Sequence, residues 1–208
     1  MGDDTARLDS FTDAAFAFAL SLLVIGSNGV PTSLADLRAA VADVPTFAIG
    51  FAVIALFWTS HLRWRRLRGA GGAVSMLLTL ALVFLVLVYI RPLQGMALSL
   101  SSYLGGSGTE FRGDLGGLFL IYGAGFAAMS AVIAALFFEA HRDRHLDPAK
   151  RRVALGEAAI WGVCFATGLL SALMALAPGL SFWAPWAYAT LPVTIPLFAF
   201  HYPWDEPA

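Results

Sequence analysis

The chain alternates between long apolar runs and short polar breaks. A helix that crosses a bilayer needs roughly 20 consecutive, mostly apolar residues. Runs of that kind cover about Phe11–Val30, Val44–Leu62, Ala73–Ile90, Leu115–Phe138, Val153–Ala177 and Leu180–Phe200. Membrane-crossing strands would read as segments of about ten residues with strict alternation. The runs here are continuous, so the pattern predicts helices. Glycine-rich breaks at Gly69–Gly72 and Leu104–Gly108 are too short to separate domains, and no internal repeat stands out. The expected fold class is all-α: a polytopic membrane protein, with residues 1–208 forming a single six-helix transmembrane domain. Pro185, Pro192 and Pro196 fall in the sixth run. Proline lacks the N–H that a helix interior uses, so a kink is expected there.

Composition sharpens this picture. The 208 residues are 59% hydrophobic and 13% charged, with a mean hydropathy of +0.74. A soluble domain carries about 25% charged residues. This chain has too few charges to cover a surface facing water, which argues for an integral membrane protein. The formal net charge of −1 gives no basic surface for nucleic acid. The one cysteine, Cys164, lies in an apolar run and reads as a small buried hydrophobe. The start, Met-Gly-Asp-Asp, lacks the basic residues of a signal peptide, so the first apolar segment is expected to persist in the mature protein.

Charge also orients the spans. Arg63, Arg65, Arg66 and Arg68 lie between the second and third runs, and Arg142, Arg144, Lys150, Arg151 and Arg152 between the fourth and fifth. The other side holds Arg38, Arg91 and Arg112. Basic loops stay in the cytoplasm. Both termini are then cytoplasmic, and the expected location is the cell membrane.

Candidate chemistry concentrates where the first run begins. Arg7, Asp9 and Asp13 stand at its edge, and charge at a bilayer is costly and usually functional. At 100° per residue, Phe18, Leu22 and Ile25 share a stripe with Ser21 beside it, and Asp13 lies about 140° from Phe18. Asp13 and that stripe cannot face one surface, and a buried carboxylate needs partners. The antiparallel second run carries Trp58 and His61 at a similar depth, and each has a ring N–H to donate. Arg7 does not face Asp13 along one helix, so it is expected to reach it through a turn or to pair with another subunit. Solvated interfacial charges remain an equal reading of Arg7 and Asp9, as does a belt aromatic for Trp58.

Other clusters read more plainly. His141 and His145, with Glu139, Asp143 and Asp147 nearby, are four apart as in some metal sites. The stretch is charged and ends at Pro148, so a solvated connector is the better reading. Glu157 is expected to snorkel or to pair with Arg151 or Arg152, and His201 to be interfacial. Gly123 and Ala127, four apart, suit close helix packing. No nucleophile–base pair, phosphate loop, cofactor box or metal cluster is evident, so neither an enzyme nor a cofactor is expected.

The pattern Arg-x-x-x-Phe-Thr-Asp, on Arg7, Phe11, Thr12 and Asp13, resembles the signature of the endosomal and lysosomal potassium channel family, the transmembrane protein 175 family. The residues that follow, Ala-Ala-Phe-Ala-Phe-Ala-Leu-Ser-Leu-Leu-Val, are similar to that family's first helix. The likeness is strongest over residues 7–25, and Trp58 and His61 resemble polar partners on the family's second helix. The resemblance implies a prokaryotic member that assembles as a homotetramer of six-helix subunits, with first helices lining a central cation pore. It implies Phe18, Ser21, Leu22 and Ile25 as pore lining and constriction. It also implies Arg7, Phe11, Thr12, Asp13, Trp58 and His61 as the clasp that holds helices and subunits together. The chain departs from the family's usual Ile or Leu at Phe18 and from its common Thr at Ser21.

The residues add their own constraint. There is no Thr-Val-Gly-Tyr-Gly stretch to build a carbonyl filter, and no acidic ring lies on the Phe18 stripe. A pore there works through hydrophobic constriction. Periodicity alone favours plain helix packing for the stripe, and only the resemblance reverses this. The expected function is passive conduction of potassium or other monovalent cations. The rival is a secondary transporter using the proline-broken sixth helix, and a third class is a membrane enzyme or a bundle without transport.

Overall fold

The computed structural model describes residues 2–25, 32–42, 44–69, 71–103 and 115–204. All regular structure among them is helical. In chain order it comprises α1 (Gly2–Ile25), α2 (Leu34–Ala42), α3 (Val44–Arg68), α4 (Ala73–Tyr103), α5 (Leu115–Arg142), α6 (Pro148–Leu176), a 3-10 helix (Ser181–Thr190) and α7 (Leu191–His201).

Among the described residues, four helical segments are long and apolar enough to cross a bilayer: Phe47–Arg68, Ala73–Met96, Gly116–Arg142 and Pro148–Leu176. The helix of the first run extends back to Gly2, through a stretch rich in Asp that contains no proline and no glycine after Gly2, and residues 26–30 of that run lie outside the described residues. The sixth run is not one α-helix, contrary to expectation. Its first half winds as a 3-10 helix containing Pro185, and α7 restarts with Pro192 in its first turn. Each proline removes one backbone donor, so the chain breaks the run into pieces that do without them. Gly179, at φ +80°, makes the turn between α6 and the 3-10 helix; a side chain would disfavour that conformation.

The sequence pattern predicts no element at α2. Its start is a reciprocal capping box: Ser33 Oγ accepts from the Asp36 N–H at 3.1 Å, and Asp36 Oδ2 accepts from the Ser33 N–H at 2.9 Å. The Thr32 N–H and hydroxyl add a second and a third bond to the same carboxylate, each at 3.0 Å. The Thr32 N–H first, then the Ser33 and Thr32 side chains, hold the Asp36 carboxyl below its ordinary pKa.

The core lies between α3, α4, α5 and α6. Phe57, Leu82, Ile133, Leu136, Phe137 and Trp161 are fully enclosed. Small residues let α5 and α6 approach closely. A methyl added at Gly123 would come within 2.8 Å of the Gly168 carbonyl oxygen, and one at Gly168 within 2.9 Å of the Ala127 backbone nitrogen. The Gly123/Ala127 spacing marks this contact from the sequence, and Gly168 completes it from the facing helix. The outer surface is apolar, with Leu77, Phe84, Leu173, Val193 and Phe200 all exposed, as lipid contact requires.

Candidate conduction helix and its polar anchors

The single subunit divides α1 lengthwise. Thr12, Phe16, Ala19 and Leu23 are buried against the rest of the chain. Ser10, Phe11, Asp13, Ala14, Ala17, Phe18 and Ser21 are exposed. At 100° per residue the exposed set fills an arc of about 160° and the buried set one of about 60° on the other side. Phe11 is 53% exposed and Phe18 57% exposed, so two aromatic rings stand out from the arc with nothing of their own subunit over them. Ser21 points outward with its hydroxyl donating back to the Ala17 carbonyl at 3.0 Å. Leu22 is half-buried at the edge of the arc. Ile25 is the last described residue of α1, and its side chain lies outside what the structure describes.

Polar contacts at one end of the bundle hold α1 to α3. Trp58 donates its indole N–H to Asp13 Oδ1 at 2.9 Å. Asp9 accepts from Nε and Nη2 of the Arg65 guanidinium, at 2.7 and 2.6 Å, and Arg65 also rests beside the Trp64 ring and donates through Nη1 to the Gly69 carbonyl. Thr12 turns inward and donates to the Leu8 carbonyl at 2.8 Å. The Phe-Thr-Asp triplet therefore sends one residue outward, one into the core and one sideways to α3.

Three expectations change here. Asp13 is not buried on a face apart from Phe18: both lie on the exposed arc, at its opposite sides. His61 does not meet Asp13. Its Nε2 faces Thr79 Oγ1 on α4 at 3.2 Å, inside the core. Three residues along a helix shift direction by about 60°, enough for Trp58 to reach α1 while His61 reaches α4. Arg7 is exposed, and among the described residues it takes part in no ion pair, with Asp13 or otherwise.

Sequence pattern alone misses most of the ion pairs that join the helices at this end. Arg63 Nη1 meets Glu157 Oε1 of α6 at 2.9 Å, in place of the expected Arg151 or Arg152, which sit six and five residues back on other faces of α6. Arg68 grips Glu139 of α5 with two bonds of 3.2 Å and Asp143 with one of 2.6 Å. Three arginines at the end of α3 thus hold three different helices. Their spacing of two and three residues, which fans them around the axis, was the available signal. The His145 N–H, then the Arg68 guanidinium, holds the Asp143 carboxyl below its ordinary pKa. His141 Nδ1 donates to the Arg151 carbonyl at 2.9 Å and Arg151 Nε returns a bond to the His141 carbonyl at 2.8 Å, so this histidine straps α5 to α6. Among the described residues no group of three or more His, Cys, Asp or Glu is placed to hold a metal ion.

An all-helical chain with several bilayer-length helices, an apolar exterior and charges gathered at one end is a polytopic membrane protein. Comparison with known proteins narrows the class. The family model for the endosomal/lysosomal potassium channel TMEM175 matches residues 7–92, from α1 into α4. A protein of Marivirga tractuosa named as a potassium channel is 33% identical over 156 residues, covering 70% of this chain and 63% of that protein. The match thus spans less than two thirds of that relative's length. The crystal structure of a variant of the potassium channel MtTMEM175, bound to a nanobody–MBP fusion protein, matches with a TM-score of 0.83 and 27% identity, over 93% of this chain and 91% of that one. The chain is thus similar to the TMEM175 family over its first helices, and both the relative and the solved structure it matches are potassium channels.

Proposed function

We propose that the chain is one subunit of a homotetrameric, potassium-permeable cation channel of the cell membrane. The whole chain forms one transmembrane domain that crosses the bilayer six times, with both termini in the cytoplasm. The supporting observation is the split of α1: its own subunit covers one side and leaves an arc with Phe11, Phe18 and Ser21 bare. Four copies around an axis would close those arcs on one another. Phe18, Ser21, Leu22 and Ile25 then line the path, with hydrophobic constriction as the gate. Arg7, Phe11, Thr12, Asp13 and Trp58 act together as the clasp of the assembly, while His61 joins α3 to α4 inside the subunit. The sixth crossing is the 3-10 helix with α7, and the positive ends of α3 and α5 face the cytoplasm.

The test is conduction by the purified protein in planar bilayers under a potassium gradient. A channel gives discrete, non-saturating current steps, and Phe18→Ala raises their size by opening the narrowest layer. Unchanged steps in that variant would remove Phe18 from the path. Saturable flux that follows a coupling ion would instead favour a transporter.

A further inference from the structure

Gln94 is the only glutamine in the chain. It lies on α4, two residues after Pro92, and is half-buried. Its Nε2 donates across to α1, to the carbonyl oxygens of Leu22 at 3.4 Å and Leu23 at 3.2 Å. The direction of the amide follows from chemistry, because a flipped amide would set its oxygen against two carbonyl oxygens. A carbonyl oxygen has two lone pairs, so each can accept a bond from outside its own helix. An amide side chain supplies that donor where water is scarce.

This contact stands apart from the others on α1. Among the described residues, the side-chain bonds from other helices to α1 are those of Arg65 to Asp9, Trp58 to Asp13, and Gln94 to the last turn. From Asp13 to Leu22 runs about 14 Å of helix held sideways by apolar packing alone. Phe16 and Ala19 bury well there, but apolar burial is non-directional and permits a helix to roll. Near Gln94, Leu23 seats in a notch at Gly50, where an added methyl would come within 2.8 Å of Leu23 Cδ2. Leu22, whose carbonyl Gln94 holds, is the half-buried residue at the edge of the exposed arc. A roll of the last turn carries its side chain into or out of that arc.

Resting on the pore reading above, we propose that Gln94 is a positioning residue of the ion path: its amide fixes the rotation of the far end of α1 and so sets the width of the layer at Leu22. It touches no ion. It acts through the two carbonyls it holds.

Side-by-side bilayer recordings of wild type, Gln94→Leu, Gln94→Glu and Phe18→Ala test this, with each assembly checked by its elution volume. Gln94→Leu keeps the bulk and removes the donor. Gln94→Glu at about pH 8 sets a carboxylate against two carbonyls, whereas at about pH 4, below the ordinary glutamate value, protonation restores one O–H donor. The expected result is a change of at least about twofold in single-channel conductance or in the potassium-to-sodium permeability ratio for Gln94→Leu, the low end of what one net hydrogen bond sustains as a population shift. Gln94→Glu should deviate at the higher pH and return toward wild type at the lower, after correction for wild type's own pH response. If Gln94→Leu fails to assemble, the pH response of assembled Gln94→Glu decides. The proposal is overturned if both Gln94 variants conduct like wild type at both pH values while Phe18→Ala does not, or if they only melt earlier. If Phe18→Ala is also silent, the pore reading fails, and this proposal with it.

Discussion

Arg65 holds both oxygens of Asp9 with the Nε and Nη2 edge of its guanidinium, at 2.7 and 2.6 Å, across 56 residues of sequence. The pair ties the start of the proposed pore helix to the end of α3. A planar fork matched to a carboxylate gives orientation as well as attraction, and a lysine cannot reproduce it. The Asp9 side chain is 41% exposed, which moderates the energy. Arg65→Lys and Asp9→Asn should each lower stability by about 1 kcal/mol. Thermal unfolding in detergent, run as a double-mutant cycle, should show strong non-additivity; additive losses would mean the two residues act apart.

Asp13 presents one oxygen to the Trp58 indole at 2.9 Å and is otherwise exposed on the single subunit. Trp58→Phe removes only the donor within the subunit, so it should leave most of the assembly intact. Asp13→Ala also removes the charge that the exposed face offers to a neighbour, so it should weaken the oligomer more. Native mass spectrometry distinguishes the two. A fully retained tetramer in Asp13→Ala would end the clasp role proposed for that residue.

The α5–α6 contact has no room at Gly168, where an added methyl would approach the Ala127 backbone to 2.9 Å. Backbone atoms cannot swing aside as a flexible side chain can. Gly168→Leu should cost about 3 kcal/mol or more, or block folding altogether. Gly162, on the same helix with open space around it, is the control: Gly162→Ala should be tolerated and slightly favourable. Expression and melting of the two variants make the comparison.

Acid should loosen the junction of α5 with the connector that follows it. The native Asp143 carboxyl is held below its ordinary value by the His145 N–H and then by Arg68. A carboxyl whose native pKa is depressed stabilises the fold above its unfolded value, about 3.9, and loses that contribution as pH falls through the native value. Asp143→Asn should therefore melt earlier than wild type at neutral pH. The gap between them should close below about pH 4. A gap that stays constant down to acid would mean that the charge of Asp143 does not contribute.

Depth matching along antiparallel runs was enough to place Trp58 beside Asp13, because both residues stand at the polar edge of long apolar segments. The same argument could not separate Trp58 from His61. They differ by about 60° around α3, and only the packed bundle shows that one direction meets α1 and the other α4. The proline-rich sixth run was legible as a place of kinking, but its 3-10 course was not, because apolar content says nothing about how a helix copes with missing donors. The capped α2 escapes the pattern because nine residues lie below the length at which a periodic signal stands out.

By itself the sequence determined the helical class, the membrane setting and the end at which charge gathers, since these follow from composition and from the length of apolar runs. Which partner each polar group takes was decided by the tertiary structure alone. Arg63 with Glu157, Arg68 with Glu139 and Gln94 with the end of α1 all depend on how the helices are rolled and how closely they approach. Roll and approach are set by contacts between distant small and bulky residues, such as Gly123 against Gly168 and Leu23 against Gly50. Spacing within any one segment carries no record of those contacts, because side chains on separate helices meet only after the whole bundle has packed.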